Sequence, residues 1–295
     1  MRIGAIIPNA GPLPGQLGVA QMAQAAEGAG AASLWVSDHL VLSKASLADY
    51  PYSKDGDMTW DASGDYFEAL SMCAYIAAVT DTCEVGTAIL ILPQRNVLQT
   101  AKEASTIDVL SQGRLVLGVG AGWNRLEMES LGYSFDSRGK RMDEMIGVLR
   151  ECWTGRPKGF EGEHVRIPDD LLLFPRPLRP GGPPILVGGM TAAAVNRAAR
   201  LGNGWLALAF VDRWDGEGLA RAAELMRSQT DESGRDVAPR WALKVHCPPD
   251  MVDRLPFHIE EAAGLGFGDV ILEAPFTHGL DAAGAVISKA VAEWS

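Results

Sequence analysis

The sequence predicts a (β/α)8 barrel, the TIM barrel, with insertions after strands two and four, and three observations predict it. Strand-like and helix-like segments alternate eight times over 295 residues, which is the count and size of that fold. Residues 84–132 hold a complete βαβ unit, whose two strands must be parallel and joined by a crossover. Those strands are apolar on both faces, as in a sheet covered by helices rather than one open to water.

The first pair is a strand over 3–7 with a helix over 16–30, and the second a strand over 33–37 with a helix over 66–79. In the third, 85–92 is an unbroken apolar run, 98–110 is an amphipathic helix, and the polar turn Ser111-Gln112-Gly113 ends it. The fourth strand, 115–119, runs into glycines, and its helix covers 138–153. Four more pairs follow: 185–187 with 191–201, 204–208 with 219–231, 241–246 with 256–265, and 269–272 with 282–294. A doubly wound sheet is the competing architecture. Two segments fall outside the repeat, 40–65 after strand two and 154–184 before strand five. Insertions of this length are usually lids or binding loops, so 40–65 is expected to cover part of a pocket. No linker divides the chain, which reads as one domain over 1–295.

A formal net charge of -11 argues against nucleic-acid or anionic-membrane partners, which require basic surface. No apolar run reaches the ~18 residues of a membrane span, and Met1-Arg2-Ile3-Gly4 enters a strand directly, so a cytoplasmic protein is expected. Cys73, Cys83, Cys152 and Cys247 lie far apart, with no CxxC pair and no clustered histidines. That pattern suggests buried thiols, with neither a disulfide framework nor a metal site.

In a barrel of this kind the active site lies just past the carboxyl ends of the strands. That rule selects Pro8, Asn9, Asp38, His39, Leu92, Pro93, the Gly120-Ala121-Gly122-Trp123-Asn124 run, Gly188 to Thr191, Phe210, His246 and Glu273. His39 is the most useful chemically, because imidazole exchanges a proton near neutrality. Its structural alternative is a histidine that hydrogen-bonds the loop beginning at Leu40. His246 and His278 rank after it, and His164 and His258 read as structural.

Gly118-Val119-Gly120-Ala121-Gly122 approximates a dinucleotide fingerprint, but the third glycine is one residue early and no helix is expected at once. It reads better as a loop that brings a planar cofactor or a phosphate close to the main chain and presents Trp123 and Asn124 to a pocket. A tight turn with Trp123 in the core is the alternative. Gly188-Gly189-Met190-Thr191 follows a strand and opens a helix, a junction that suits a phosphate, unless Thr191 is an ordinary N-cap. Arg138, Lys140 and Arg141 either bind an anion or pair with Asp143 and Glu144, and Lys102 and Glu103 read as a solvated face. Trp60, Tyr66 and Phe67 either wall a pocket or anchor their loop.

Several segments, taken in order, resemble the bacterial luciferase-like oxidoreductase family, and within it the branch that uses coenzyme F420, a 5-deazaflavin. They are Trp35-Val36-Ser37-Asp38-His39, Tyr50-Pro51-Tyr52-Ser53 with Asp55-Gly56, Gly86-Thr87 with Leu92-Pro93, and Ala101-Lys102 through Thr106-Ile107-Asp108-Val109-Leu110-Ser111. Gly113-Arg114-Leu115, Gly118 to Trp123, and Ile185-Leu186-Val187-Gly188-Gly189 complete the set. The resemblance covers roughly residues 1–208 and fades beyond them.

The resemblance implies a barrel, often a homodimer, that holds a flavin-type ring at the carboxyl ends of its strands. It implies a non-prolyl cis peptide in strand three, here Ala88-Ile89, forming a bulge behind the ring. It places ring and tail contacts at Asp38, Gly120, Ala121, Gly122, Asn124, Gly188, Gly189, Met190 and Thr191; Asn9, Trp123 and Phe210, by their positions past strand ends, are expected in the substrate pocket. The implied reaction is hydride transfer between the deazaflavin and a small organic molecule, with His39 giving or taking the proton. Sugar-phosphate dehydrogenases of the family carry a glutamate after the strand-four glycines, where this chain has Trp123, which implies a less polar substrate. A monooxygenase using reduced flavin mononucleotide (FMN) and a non-catalytic flavin-binding protein share the scaffold and stand as alternatives.

Overall fold

The computed structural model describes residues 1–43, 63–234 and 238–294. Most of the 40–65 insertion, with Trp60 and the Tyr50 to Gly56 motif, lies outside the described residues, and so does the lid expected there. The strands are β1 (Arg2–Ile6), β2 (Ser33–Val36), β3 (Glu84–Ile91), β4 (Leu115–Gly120), β5 (Phe160–Glu161), β6 (Arg166–Ile167), β7 (Ile185–Gly188), β8 (Gly204–Phe210), β9 (Arg240–His246) and β10 (Asp269–Leu272). Eight of them close a barrel in the order β1-β10-β9-β8-β7-β4-β3-β2, and every adjacent pair is parallel. The fold is therefore the (β/α)8 barrel and not the doubly wound sheet.

The helices are α1 (Leu13–Leu17), α2 (Val19–Gly28), α3 (Ala69–Val79), α4 (Val97–Leu110), α5 (Arg125–Ser130), α6 (Arg138–Cys152), α7 (Ala192–Leu201), α8 (Gly216–Ser233), α9 (Leu255–Gly264) and α10 (Leu280–Trp294). Two expectations are corrected. The single helix over 16–30 is two, because Gly18 adopts φ 79°, ends α1 and starts α2. A helix does follow the strand-four glycines at once: Asn124 accepts a hydrogen bond from the Glu127 N–H and caps α5. The 154–184 insertion carries the antiparallel β5–β6 pair and a cis Phe174-Pro175 bond.

Side-chain alternation along the strands divides the molecule into two apolar regions. One lies between barrel and helices. The other is a plug inside the barrel to which every strand contributes one residue: Ile6, Trp35, Ala88, Val116, Leu186, Leu206, Ala242 and Ile271. The Trp35 indole N–H, fully buried there, donates to Ser33 Oγ at 2.8 Å. The amino-terminal end is closed by ion pairs, with Arg240 reaching Glu84 at 2.9 Å and Asp269 at 2.6 Å. Plug and ionic floor together leave only the carboxyl end open to a ligand. The four cysteines are free and buried, and burial pushes the Cys152 and Cys247 thiols up to about 11. No helix among the described residues is long and apolar enough to cross a membrane.

Candidate active site

The mouth is shaped first by β3. The Ala88-Ile89 peptide is cis, and the pairing with β4 shifts between Thr87 and Leu90. Ile89 packs against the plug, half-buried. A Cβ added to Gly120 would sit 2.6 Å from Ile89 Cδ1, and one on Gly188 2.6 Å from Ile89 Cγ2. The glycines of β4 and β7 thus make room for the Ile89 side chain, a different reason for glycine than the close ligand approach expected from sequence. The end of β3 is tied down by buried Asp38, which accepts from the Ile91 N–H at 2.8 Å and pairs with Arg95 at 2.7 Å. Arg95 also pairs with Glu68 at 2.9 Å. Burial raises the Asp38 carboxyl above its ordinary value against the opposing pull of Arg95 and the Ile91 N–H. Asp38 is in this way a positioning group for the bulge.

His39, four residues beyond Trp35, continues the inward-facing series of β2. Its Nδ1 meets Glu127 Oε2 at 2.7 Å, and both side chains are buried. Glu127 Oε1 accepts from Gln94 Nε2 at 2.9 Å and from the Leu40 N–H at 2.6 Å. Burial raises the Glu127 carboxyl, but the His39 hydrogen bond and charge, the Leu40 N–H and the Gln94 amide outweigh it and hold the group below the usual carboxylate range. An ionised Glu127 assigns the Nδ1 proton to His39 and leaves Nε2 as its exchanging atom. Tyr66 and Trp123 set their rings edge-on to the imidazole, at 5.5 and 5.7 Å between centroids. Glu127 was missed in the sequence. Asn124-x-x-Glu127 has the capping-box spacing and would have revealed both α5 and its carboxylate.

A second histidine–carboxylate couple stands on the far wall. His246 Nδ1 hydrogen-bonds Glu273 Oε2, and Lys244 Nζ lies 3.2 Å from Glu273 Oε1. Burial raises Glu273, but Lys244 and His246 overcome it and bring its carboxyl down to about 2. Phe210 faces His246 at 5.4 Å, and the Arg213 guanidinium stacks 3.9 Å over Phe210.

The remaining candidates are placed as follows. Asn9 is buried and its amide donates to the Ser37 and Phe67 carbonyls at 2.8 Å each, which braces the mouth. Asn124 Nδ2 is buried with no hydrogen-bond partner among the described residues, an unsatisfied donor suited to an acceptor on a ligand. Gly122 and Trp123 are half-buried at the rim. Arg138 Nε donates to the Gly122 carbonyl at 3.2 Å, and its guanidinium lies 3.7 Å over Phe135. Arg141 is buried and donates to the Pro93 carbonyl at 2.8 Å. Asp143 pairs with Arg197, and Glu144 accepts from the backbone N–H groups of Glu163, His164 and Val165, so neither serves Arg138 or Arg141 as expected. Thr191 Oγ1 caps α7 by accepting from Ala194 N at 3.3 Å, while Gly188, Gly189 and Met190 remain half-buried at the mouth. Ala121 packs against the outer core. His258 stacks on Trp214 at 4.2 Å, away from the mouth.

Three comparisons bear on this site. An uncharacterised protein of Mycobacterium tuberculosis (strain ATCC 25618 / H37Rv) is 36% identical over 185 residues, and the match spans 63% of this chain and 63% of that protein's length. The FMNH2-dependent dimethylsulfone monooxygenase of Pseudomonas putida is 30% identical over 173 residues, 58% of this chain and 46% of the relative. In fold alone, the chain is similar to an F420-dependent secondary alcohol dehydrogenase solved with an F420-acetone adduct, with a TM-score of 0.75 at 18% identity over 97% of each chain. The sequence profile of the luciferase-like monooxygenase family matches residues 1–253, and with the barrel, its bulge and its histidine at the mouth, the chain belongs to that family.

Proposed function

We propose that the protein is an oxidoreductase that transfers hydride between coenzyme F420 and a small organic substrate in the barrel mouth, with the His39–Glu127 couple moving the proton. The observation that carries this reading is the buried 2.7 Å contact between His39, past the end of the strand next to the Ala88-Ile89 bulge, and Glu127 on α5. The residues present fit such a cofactor. Ile89, seated on Gly120 and Gly188, offers an apolar shelf for a planar ring, and the orphaned Asn124 Nδ2 offers a donor to its polar atoms.

When bound, coenzyme F420 supplies a two-electron hydride donor or acceptor. The chain's own residues do the rest. His39 Nε2 gives a proton to a substrate oxygen in reduction and takes one from a hydroxyl in oxidation. Ionised Glu127 stabilises the imidazolium and holds the ring in one tautomer. Trp123 and Tyr66 flank the imidazole and shield it from water. Asp38, through the Ile91 N–H, keeps the bulge in place.

Use of reduced FMN and oxygen is the second reading, favoured by the 30% identity to the dimethylsulfone monooxygenase. A non-catalytic flavin-binding protein is the third. Turnover tests them together: a panel of ketones, imines, enones and alcohols is screened with F420 under anaerobic conditions, and with reduced FMN while oxygen uptake is recorded. Anaerobic F420 turnover lost in His39→Ala is the expected result. Oxygen-dependent FMN turnover alone supports the second reading, and tight binding with no turnover the third.

A further inference from the structure

We propose that Lys244 and His246 form a subsite for a substrate carboxylate, buttressed by Glu273, on the wall of the mouth facing the Ala88-Ile89 bulge. This rests on the reading of that mouth as the cofactor and substrate site.

In the ring of eight strands β9 is the fourth from β3 in either direction, so its inward residues face the bulge across the mouth. Ala242 and Ile271 belong to the plug. Lys244 and His246 continue the inward series of β9, and Glu273 continues that of β10 just past its end. All three stand above the plug, on the open side.

The chemistry is that of two cations on one anion. The Lys244 side chain is only 15% exposed, and Glu273 is its one ion-pair partner among the described residues, although an ammonium carries three donors. His246 turns Nδ1 to Glu273, which leaves Nε2 for a ligand, and 39% of its side chain is exposed. Glu273 stays ionised down to about pH 2 and so cancels one positive charge. With His246 protonated, one positive charge is left over, which suits a monoanion. A dianion would leave excess negative charge beside Glu273. Burying an ammonium and a carboxylate does little for stability compared with apolar residues of the same size, so folding alone does not account for this trio. Phe210, packed on His246, supplies an apolar contact for the body of an organic acid.

The test uses the protein loaded with whichever of F420 and FMN it binds, titrated with benzoate and with its neutral isostere benzamide. Benzoate is expected to bind about tenfold or more tightly than benzamide. Lys244→Met should weaken benzoate about tenfold or more while leaving benzamide and cofactor affinity in place. Should that variant fold poorly, with Glu273 left unpaired, Lys244→Met combined with Glu273→Gln restores the charge balance and should still lose benzoate. Equal affinity for the two probes, no measurable benzoate binding, or unchanged benzoate affinity in the variants overturns the proposal. Cofactor affinity measured without benzoate reports separately on the reading this rests on.

Discussion

His39 and Glu127, 88 residues apart in sequence, meet through a 2.7 Å hydrogen bond that joins the end of β2 to the first turn of α5. Neither element brings the couple about alone. β2 aims His39 inward, and Asn124 starts α5 where Glu127 reaches both the imidazole and the Leu40 N–H.

Replacing His39 by Gln keeps a polar side chain and removes proton exchange. Turnover is expected to fall ~10²- to 10⁴-fold while cofactor affinity, read by fluorescence titration, stays within a few-fold of the parent. Undiminished kcat would remove His39 from the proton path.

Glu127→Gln puts an amide where four donors, from His39, Leu40, Val41 and Gln94, converge on a carboxylate. Chemical denaturation should show a loss of ~1 to 3 kcal/mol, and kcat should fall with a change in the shape of its pH profile. A loss of stability with an unaltered pH profile of kcat would make Glu127 structural only.

Gly120→Ala places a methyl against Ile89 Cδ1, and overpacking of this kind costs ~1 to 3 kcal/mol. Combining it with Ile89→Ala should cost less than the two single changes summed, with a coupling of ~0.5 to 3 kcal/mol in a double-mutant cycle. Additive effects would show that Ile89 does not occupy the space left by the glycine. Gly188→Val should likewise act through Ile89, weakening cofactor binding by moving the shelf.

Glu27 and Glu273 each have a folded-state pKa of about 2. For Glu27 burial works upward, but the N–H groups of Thr82, Cys83 and Asp81 pull the carboxyl down. An unfolded glutamate titrates near ~4.3, so both groups add stability above that pH, and the contribution drains away as pH falls from ~5 towards ~2. Thermal melts between pH 2 and 7 should show this acid limb, and Glu27→Gln should flatten it. An identical acid limb in the variant would contradict the assignment.

The barrel itself was legible because its strands are short apolar runs bounded by turn residues; the predicted 85–92 strand is Glu84–Ile91 in the structure. The break at Gly18 was not, since the residues on either side keep a helical pattern and only a backbone angle separates α1 from α2. Position past a strand end selected His39, His246 and Glu273. It could not pair them, because His39 meets a carboxylate on α5 and His246 one past the neighbouring strand β10, contacts that the packing of separate elements decides. The glycines at 120 and 188 were visible, but their reason was not: Ile89 fills the space beside them, a contact between strands that the sequence does not display.

A fluorescence titration of the purified protein with oxidised coenzyme F420 and, separately, with FMN decides between the two cofactors. Tight binding of the deazaflavin and weak binding of FMN is the expected result. The reverse preference would contradict it and move the protein to the flavin-dependent monooxygenase reading.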